Sequence, residues 1–296
     1  MVTTKDFRAG YVGIVGRPNT GKSTLLNKFL DFKLSIVTNK PQTTRKKVLG
    51  IMNNRKYQII FMDTPGLIEP KYNLQVIMMS YIQSTLMDAD VIVYIVDVTS
   101  PVYDFRELET KILKTEKPIV LALNKIDLIQ KDRLLILIDK YSKFFDFKAF
   151  VPISALKSNG LDKLLDEIVT ELPYHPPFFP PDSLTDEPER FFVSEIIREK
   201  IFQLYGQEIP YACHVAVEEY KERSKSKDYI RAVIYVDQVS QKGILIGRKG
   251  RAIKKVGELA RHEIENFLGK PVFLELYVKV LLDWRKKTSK LKDLGY

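Results

Sequence analysis

Residues 16–24 read GRPNTGKST, from Gly16 to Thr24. The run before them, YVGIVG, is short and apolar, as a buried strand is; LLNKFL, which follows Thr24, begins an amphipathic helix. A strand, a glycine-rich turn and a helix with the spacing G-x-x-x-x-G-K-S form a loop that holds phosphate. Backbone N–H groups can gather round a triphosphate only where side chains leave room, and Gly16 and Gly21 leave it. The helix start near Gly21 adds the positive end of its dipole. Arg17, Pro18, Asn19 and Thr20 fill the variable positions of the loop. Lys22 reaches the outer phosphates as a point charge, the Ser23 hydroxyl suits Mg2+, and Thr24 ends the motif.

Further along, DTPG (Asp63, Thr64, Pro65, Gly66) closes the apolar stretch YQIIFM. At a strand end, Asp63 is expected to reach Mg2+ through water, and the Gly66 N–H the terminal phosphate. Leu67 comes next, where many regulatory switches carry a glutamine that orients water. NKID at 124–127 selects the base. Guanine presents N1–H and an exocyclic amine side by side, and the Asp127 carboxylate can accept both. Asn124 is expected on the purine's other edge, with the Lys125 stem against its plane. Adenine lacks that donor pair and would leave Asp127 unpaired. ISAL at 153–156 (Ser154, Ala155, Leu156) offers backbone N–H groups near Ser154 and Ala155 for the guanine oxygen. Between the first two motifs, NKPQTTRKKVLG has the character of a switch loop. One of its threonines should complete the Mg2+ shell when the terminal phosphate is present; Thr44 is taken over Thr43. Lys22, Thr44 and Gly66 are therefore the catalytic candidates, and Ser23, Thr44 and Asp63 the metal candidates.

Working outward, residues 10–172 alternate apolar strands (YVGIVG, YQIIFMD, VIVYIVD, PIVLALN, AFVPIS) with helices at 22–30, 74–87, 105–115, 131–144 and 161–171. This predicts an α/β domain over 8–172 with a mixed, mostly parallel sheet and its functional loops at the strands' carboxyl ends. LPYHPPFFPPDSLTDEP has six prolines in seventeen residues and reads as a semi-rigid linker over 173–187. A smaller α+β domain follows over 188–296. It is expected to have helices at 188–205, 240–246 and 250–268, and strands near 212–219, 230–236 and 272–281. Its segment GILIGRKGRAIKKVGELARHEIENF sets Gly247-Arg248-Lys249-Gly250 between two helices. The glycines permit close passage of a nucleic-acid backbone, and Arg248 and Lys249 meet its phosphates.

Charge agrees. Of the formal +10, residues 238–296 carry 14 Lys+Arg against 6 Asp+Glu, and residues 181–237 carry 8 against 12. A basic C-terminal region beside an acidic one suits a polyanion partner. A hydrophobic content of 45% with 28% charged residues is ordinary for a globular chain of 296 residues. The longest apolar runs are too short to span a bilayer, and the N-terminus shows no secretory pattern. The single cysteine, Cys213, excludes an internal disulfide, and His175, His214 and His262 have no metal-ligand spacing. A cytoplasmic protein is expected.

In this order and spacing, GRPNTGKST, PQTTR, DTPG, NKID and ISAL resemble the translation-factor-related bacterial GTPases. The C-terminal region is similar to a type II K-homology domain, and the whole chain resembles the members of that class that assemble the small ribosomal subunit. Thr20 departs from the Val or Ala usual there. The resemblance implies GTP and GDP as ligands, Mg2+ as cofactor, and 16S rRNA near its 3′ end as partner, with the chain acting as a monomer. Asn19 either bonds its own loop or coordinates K+ beside the phosphates. Two competitors remain: a regulatory switch held weakly at a membrane through the basic tail DWRKKTSKLKDLGY, and a tRNA-modifying GTPase, for which no reactive cysteine speaks.

Overall fold

The computed structural model describes residues 6–100, 114–206, 208–224 and 226–296. The chain folds into two compact units. Met1–Ser35, Thr44–Glu69 and Met78–Asp186 form the first; Ile36–Thr43, Pro70–Ile77 and Glu187–Tyr296 form the second.

The first unit is built on a six-stranded sheet. Strands β1 (Arg8–Val15), β2 (Val48–Asn53), β3 (Tyr57–Asp63), β4 (Val91–Asp97), β5 (Ile119–Asn124) and β6 (Ala149–Ile153) lie in the order β2-β3-β1-β4-β5-β6. Only β2 runs antiparallel; the other pairings are parallel. The β5 strand is buried throughout, which is why it reads as a continuous apolar run rather than an alternation. Helices α1 (Lys22–Leu30), α3 (Lys131–Ser142) and α4 (Leu161–Glu171), and α2 (Asn73–Asp88), which belongs to this unit from Met78 onward, follow the expected positions closely. The expected helix at 105–115 lies almost entirely outside the described residues. Parallel register sets Ile14 beside Asp63, and Asp97 beside Asn124, which in turn pairs with Ile153. All the motif-bearing loops therefore leave one edge of the sheet, and the strand order reverses at β1.

Two features differ from expectation. The β2 strand was not anticipated: VLGIMN follows a basic run without a turn signal and was absorbed into the switch loop. The proline-rich stretch is bonded down along the first unit. Pro173 O accepts from Ala9 N at 3.2 Å, and Leu184 O accepts from Ile51 N at 2.8 Å. The fully buried Gln58 ties the N–H groups of Phe178 and Phe179 with its Oε1, at 2.6 and 2.9 Å. Proline cannot donate, so this segment supplies carbonyls to strand N–H groups that would otherwise lack a partner.

In the second unit, α5 (Glu189–Leu204) and a short α6 (Ile209–Ala212) precede β7 (His214–Lys221) and β8 (Asp228–Val236). Then come α7 (Val239–Ile246), a 3-10 turn at Arg248–Gly250, α8 (Arg251–Leu268), β9 (Val272–Val280) and α9 (Thr288–Asp293). Strand β8 pairs antiparallel with β7 and parallel with β9. Val256, Ala260 and Ile264 on α8, four apart, enter a core shared with Ile197, Ile201, Ile230 and Ile234. Gln238 and Gln241 form a reciprocal cap at the start of α7. The short α6 and α9 were not foreseen. Neither carries an apolar period long enough to signal a helix, and Trp284 and Leu291 in the basic tail are fully buried.

Candidate nucleotide site and nucleic-acid interface

The phosphate loop turns between β1 and α1 with Asn19 at φ 62° and Gly21 at φ 103°. Gly21 has a second constraint, because a Cβ there would lie 2.2 Å from Asn124 Nδ2. A Cβ on Gly66 would likewise lie 2.7 Å from the Pro18 backbone. Lys22 is buried and donates to the carbonyls of Gly16 (3.1 Å) and Arg17 (2.8 Å). Burial pushes its ammonium down to about 8, against the opposing attraction of Asp63. Thr20 Oγ1 donates to Arg17 O at 2.9 Å, so the threonine in this variable position braces the loop.

Three oxygen donors converge beside the loop. Ser23 Oγ donates to Asp63 Oδ2 at 2.8 Å and lies 3.0 Å from Thr44 Oγ1, which is itself 3.5 Å from Asp63 Oδ2. Thr43 is elsewhere, bonded to Thr38 Oγ1 and Lys40 O. Burial raises the Asp63 carboxyl above its ordinary range, despite opposing help from Ser23 and Lys22, and its Oδ1 has no hydrogen-bond partner. Two hydroxyls and an orphaned buried carboxylate oxygen are the hard donors that Mg2+ takes. Among the described residues no group of three His, Cys, Asp or Glu could hold a metal ion.

The base-selecting motif is braced by the protein. Asn124 is held at both ends of its amide. Its Nδ2 donates to Thr20 O (2.7 Å), and its Oδ1 accepts from Ala155 N (2.9 Å). It is buried, and it bolts the phosphate loop to the β6 loop. Ser154 N is likewise spent on Asn159 O at 3.0 Å, in a one-residue bridge. The N–H groups of Ser154 and Ala155 are thus already committed, and the next one, on the exposed Leu156, has no acceptor among the described residues. Lys125 has φ 71° and pairs with Asp97 Oδ2 at 2.6 Å. Burial would raise the Asp97 carboxyl, but hydrogen bonds from Lys125 and Thr99 outweigh it and hold it below the ordinary range. Asp127 stands in a 3-10 turn, half-buried, with no protein partner among the described residues.

Leu67, which stands where a water-orienting glutamine is common, is a core residue whose N–H donates to Gly16 O at 3.0 Å. Thr64 Oγ1 donates to Ile14 O at 2.8 Å, so it too is structural. Two residues went unnoticed: Asp97, and Asn27 on α1. Asn27 Oδ1 accepts from the N–H groups of Leu34 and Ser35 at 3.0 and 2.9 Å and pins the start of the switch loop. A strand-ending Asp with Thr two residues on was the available signal for Asp97; an Asn inside a helix gives none.

In the second unit Gly247 (φ 71°), Lys249 (φ 52°) and Gly250 (φ 75°) shape the turn, with Arg248 and Lys249 exposed. A Cβ on Gly247 would lie 2.6 Å from Ala252 Cβ, whereas Gly250 has open space. Arg251, Lys254 and Lys255, also exposed, extend this basic edge along the first turns of α8. Much of the acidic charge ahead of it is spent internally, as with Asp237 on Arg285 (2.7 Å) and Asp228 on Lys270 (2.7 Å).

A phosphate loop, a metal-ready trio and a guanine-selecting carboxylate in the first unit, with a G-x-x-G turn in the second, define a GTPase that carries a K-homology module. A family model described as a 50S ribosome-binding GTPase matches residues 11–125, and a KH-domain model matches 208–285. The chain is 44% identical to GTPase Era of Geotalea uraniireducens over 296 residues, 100% of both proteins. It superposes on a crystal structure of an Aquifex aeolicus Era variant bound to GDP and AlF4− with a TM-score of 0.92. For a structure of Era in complex with MgGDPNP and nucleotides 1506–1542 of 16S ribosomal RNA the TM-score is 0.93. In both, identity is 41% and 98% of this chain and 99% of the other are covered. The chain belongs to the Era family of GTPases.

The low proton affinity of Lys22 gives a pH prediction. Bound phosphates favour the ammonium, so the protein loses above about pH 8 a proton that the complex keeps. Affinity for GDP should be flat below that value and fall as pH rises through it. At about pH 8.5 binding should take up protons, seen as calorimetric heats that vary with buffer ionisation enthalpy. Heats independent of buffer would contradict the assignment.

Proposed function

We propose that this GTPase binds 16S rRNA near its 3′ end through the K-homology unit and acts, as a monomer in the cytoplasm, in assembly of the small ribosomal subunit. The observation that carries it is the G-x-x-G turn with exposed Arg248 and Lys249 in the same chain as a complete nucleotide site. The related complex with 16S nucleotides supports the RNA target. Lys22 orients the outer phosphates, Asp127 holds guanine, and the Gly66 N–H meets the terminal phosphate. Ser23, Thr44 and Asp63 would hold the Mg2+ that arrives with the nucleotide, and its charge offsets that of the phosphates when bound.

The test is sedimentation of the GDPNP-loaded chain with 30S subunits, 50S subunits and anionic liposomes. Association with 30S supports the proposal; association with 50S, the partner in the description of the matching GTPase family, or with liposomes alone overturns it. Burial of Trp284 and Leu291 argues against the lipid outcome, because the basic tail keeps no apolar residue of that pair for a bilayer. Among the described residues no helix is long and apolar enough to cross a membrane.

Leu67, directly after the DTPG motif, is in the core and has no polar group to orient water. A K+ ion coordinated by the exposed Asn19 would offset charge developing between the outer phosphates. GTP turnover should then be several-fold faster in KCl than in NaCl at equal ionic strength, with the difference lost in Asn19→Ala. Equal rates in both salts leave Asn19 a loop residue.

A further inference from the structure

Strands β4 and β5 end side by side in the first unit. Parallel register pairs Asp97 with Asn124, and the ladder runs one bond further, from Val98 N to Asn124 O at 3.1 Å. Lys125 then turns in the left-handed region at φ 71°, and its carbonyl accepts from Leu128 N at 3.0 Å to open the 3-10 turn that carries Asp127. A lysine in that region is strained, and such strain persists only where surrounding bonds hold it. Asp97 supplies one at the side chain: its Oδ2 accepts from Lys125 Nζ at 2.6 Å. Its Oδ1 accepts from Thr99 N at 2.9 Å and Thr99 Oγ1 at 2.6 Å. The bond from a backbone N–H two residues on is an Asx turn, so the carboxylate is itself fixed where it meets the lysine. The Asp97 side chain is 13% exposed and that of Lys125 31%, so water and salt screen the pair less than one on the open surface.

We propose that Asp97 is a positioning residue for guanine: by holding the Lys125 ammonium it sets the Lys125 stem against the plane of the base before the nucleotide arrives. A free lysine stem has many rotamers to lose when it covers a ligand, and one tied at its far end has few. The ammonium thus bonds the protein while the apolar stem meets the base. The proposal rests on the reading of residues 124–127 as the guanine site. It gives Asp97 and Asp127 different tasks. Asp127 reads the base's edge, whereas the stem covers a plane that guanine shares with hypoxanthine, which lacks the exocyclic amine.

The experiment titrates the full chain, Asp97→Asn, Lys125→Met and the double variant calorimetrically with GDP and with inosine diphosphate. Every group meeting the Asp97 carboxylate is a donor, so asparagine satisfies one side with its oxygen and turns its NH2 against the other. Asp97→Asn should weaken both nucleotides several-fold and by the same factor. In the Lys125→Met background the same change should shift affinity by less than about twofold, because the bond it acts through is already gone. Should Asp97→Asn fail to fold, Asp97→Ser, which keeps an oxygen for Thr99, takes its place in the cycle. Losses that multiply in the double variant, or a loss confined to GDP, overturn the proposal. Unchanged affinity in Asp97→Asn beside a weakened Lys125→Met overturns it alone. Unchanged affinity in Lys125→Met removes the stem from the base and the proposal with it, and a parent that binds no GDP overturns the guanine site itself.

Discussion

Asp127→Asn should weaken GTP binding by about 2–5 kcal/mol and admit xanthosine triphosphate, the loss expected when a charge-assisted pair of hydrogen bonds is removed from a desolvated contact. The structure sharpens this expectation. Asn124 spends both ends of its amide on Thr20 and Ala155, and Lys125 is paired with Asp97. Among the polar groups of the motif, Asp127 alone is left without a protein partner among the described residues. A carboxylate so placed accepts two donors from guanine. Asparagine in its place presents N–H to the ring N1–H and instead suits the second ring oxygen of xanthine. Calorimetric titration with both nucleotides checks it. Unchanged GTP affinity would remove the guanine assignment. Asn124→Ala should act differently, loosening the phosphate loop and the β6 loop without exchanging one base for another.

Gly247→Asp should reduce affinity for an RNA of the 16S 3′-end sequence by about two orders of magnitude, since it sets a negative charge against phosphate and disturbs the turn that aligns several contacts. The substitution forces a Cβ to within 2.6 Å of Ala252 at φ 71°, so the start of α8 must shift. Gly250→Asp meets open space, and only its φ of 75° and its charge oppose it. Aspartate tolerates the left-handed region at a cost of about 1 kcal/mol, so this second variant should keep its fold and bind more RNA than the first. GTP affinity should be unchanged in both, and that also shows the protein to be folded. RNA affinity surviving both changes would dismiss the K-homology turn as the contact.

Most of the first unit was legible in the sequence because its strands are short apolar runs ended by polar motifs, and its helices begin where those motifs end. The β2 strand was hidden because it lies at the sheet's edge, with Gly50 and Asn53 diluting its pattern. Site residues whose chemistry faces a ligand could be read from motif spacing, as with Lys22, Ser23 and Asp63. The bonds that the same residues make to the protein were not legible: Asn124 ties two loops together, the N–H groups of Ser154 and Ala155 meet protein acceptors, and Leu67 packs in the core. A backbone N–H or a side-chain amide looks the same in sequence whether its partner is a ligand or a distant loop. The same limit applies to segments 36–43 and 70–77, whose membership of the second unit depends on contacts such as Leu74 N to Arg285 O at 3.0 Å. No local pattern announces a bond across more than two hundred residues.

A GTP site and a 16S rRNA-binding turn in one chain should leave a mark in cells. Ultraviolet crosslinking of the protein in cells, followed by sequencing of the attached RNA, tests it most directly. Reads should concentrate at the 3′ end of 16S rRNA and be lost in Gly247→Asp while the protein persists. Reads enriched instead on 23S rRNA or on tRNA, or unaffected by Gly247→Asp, would contradict it.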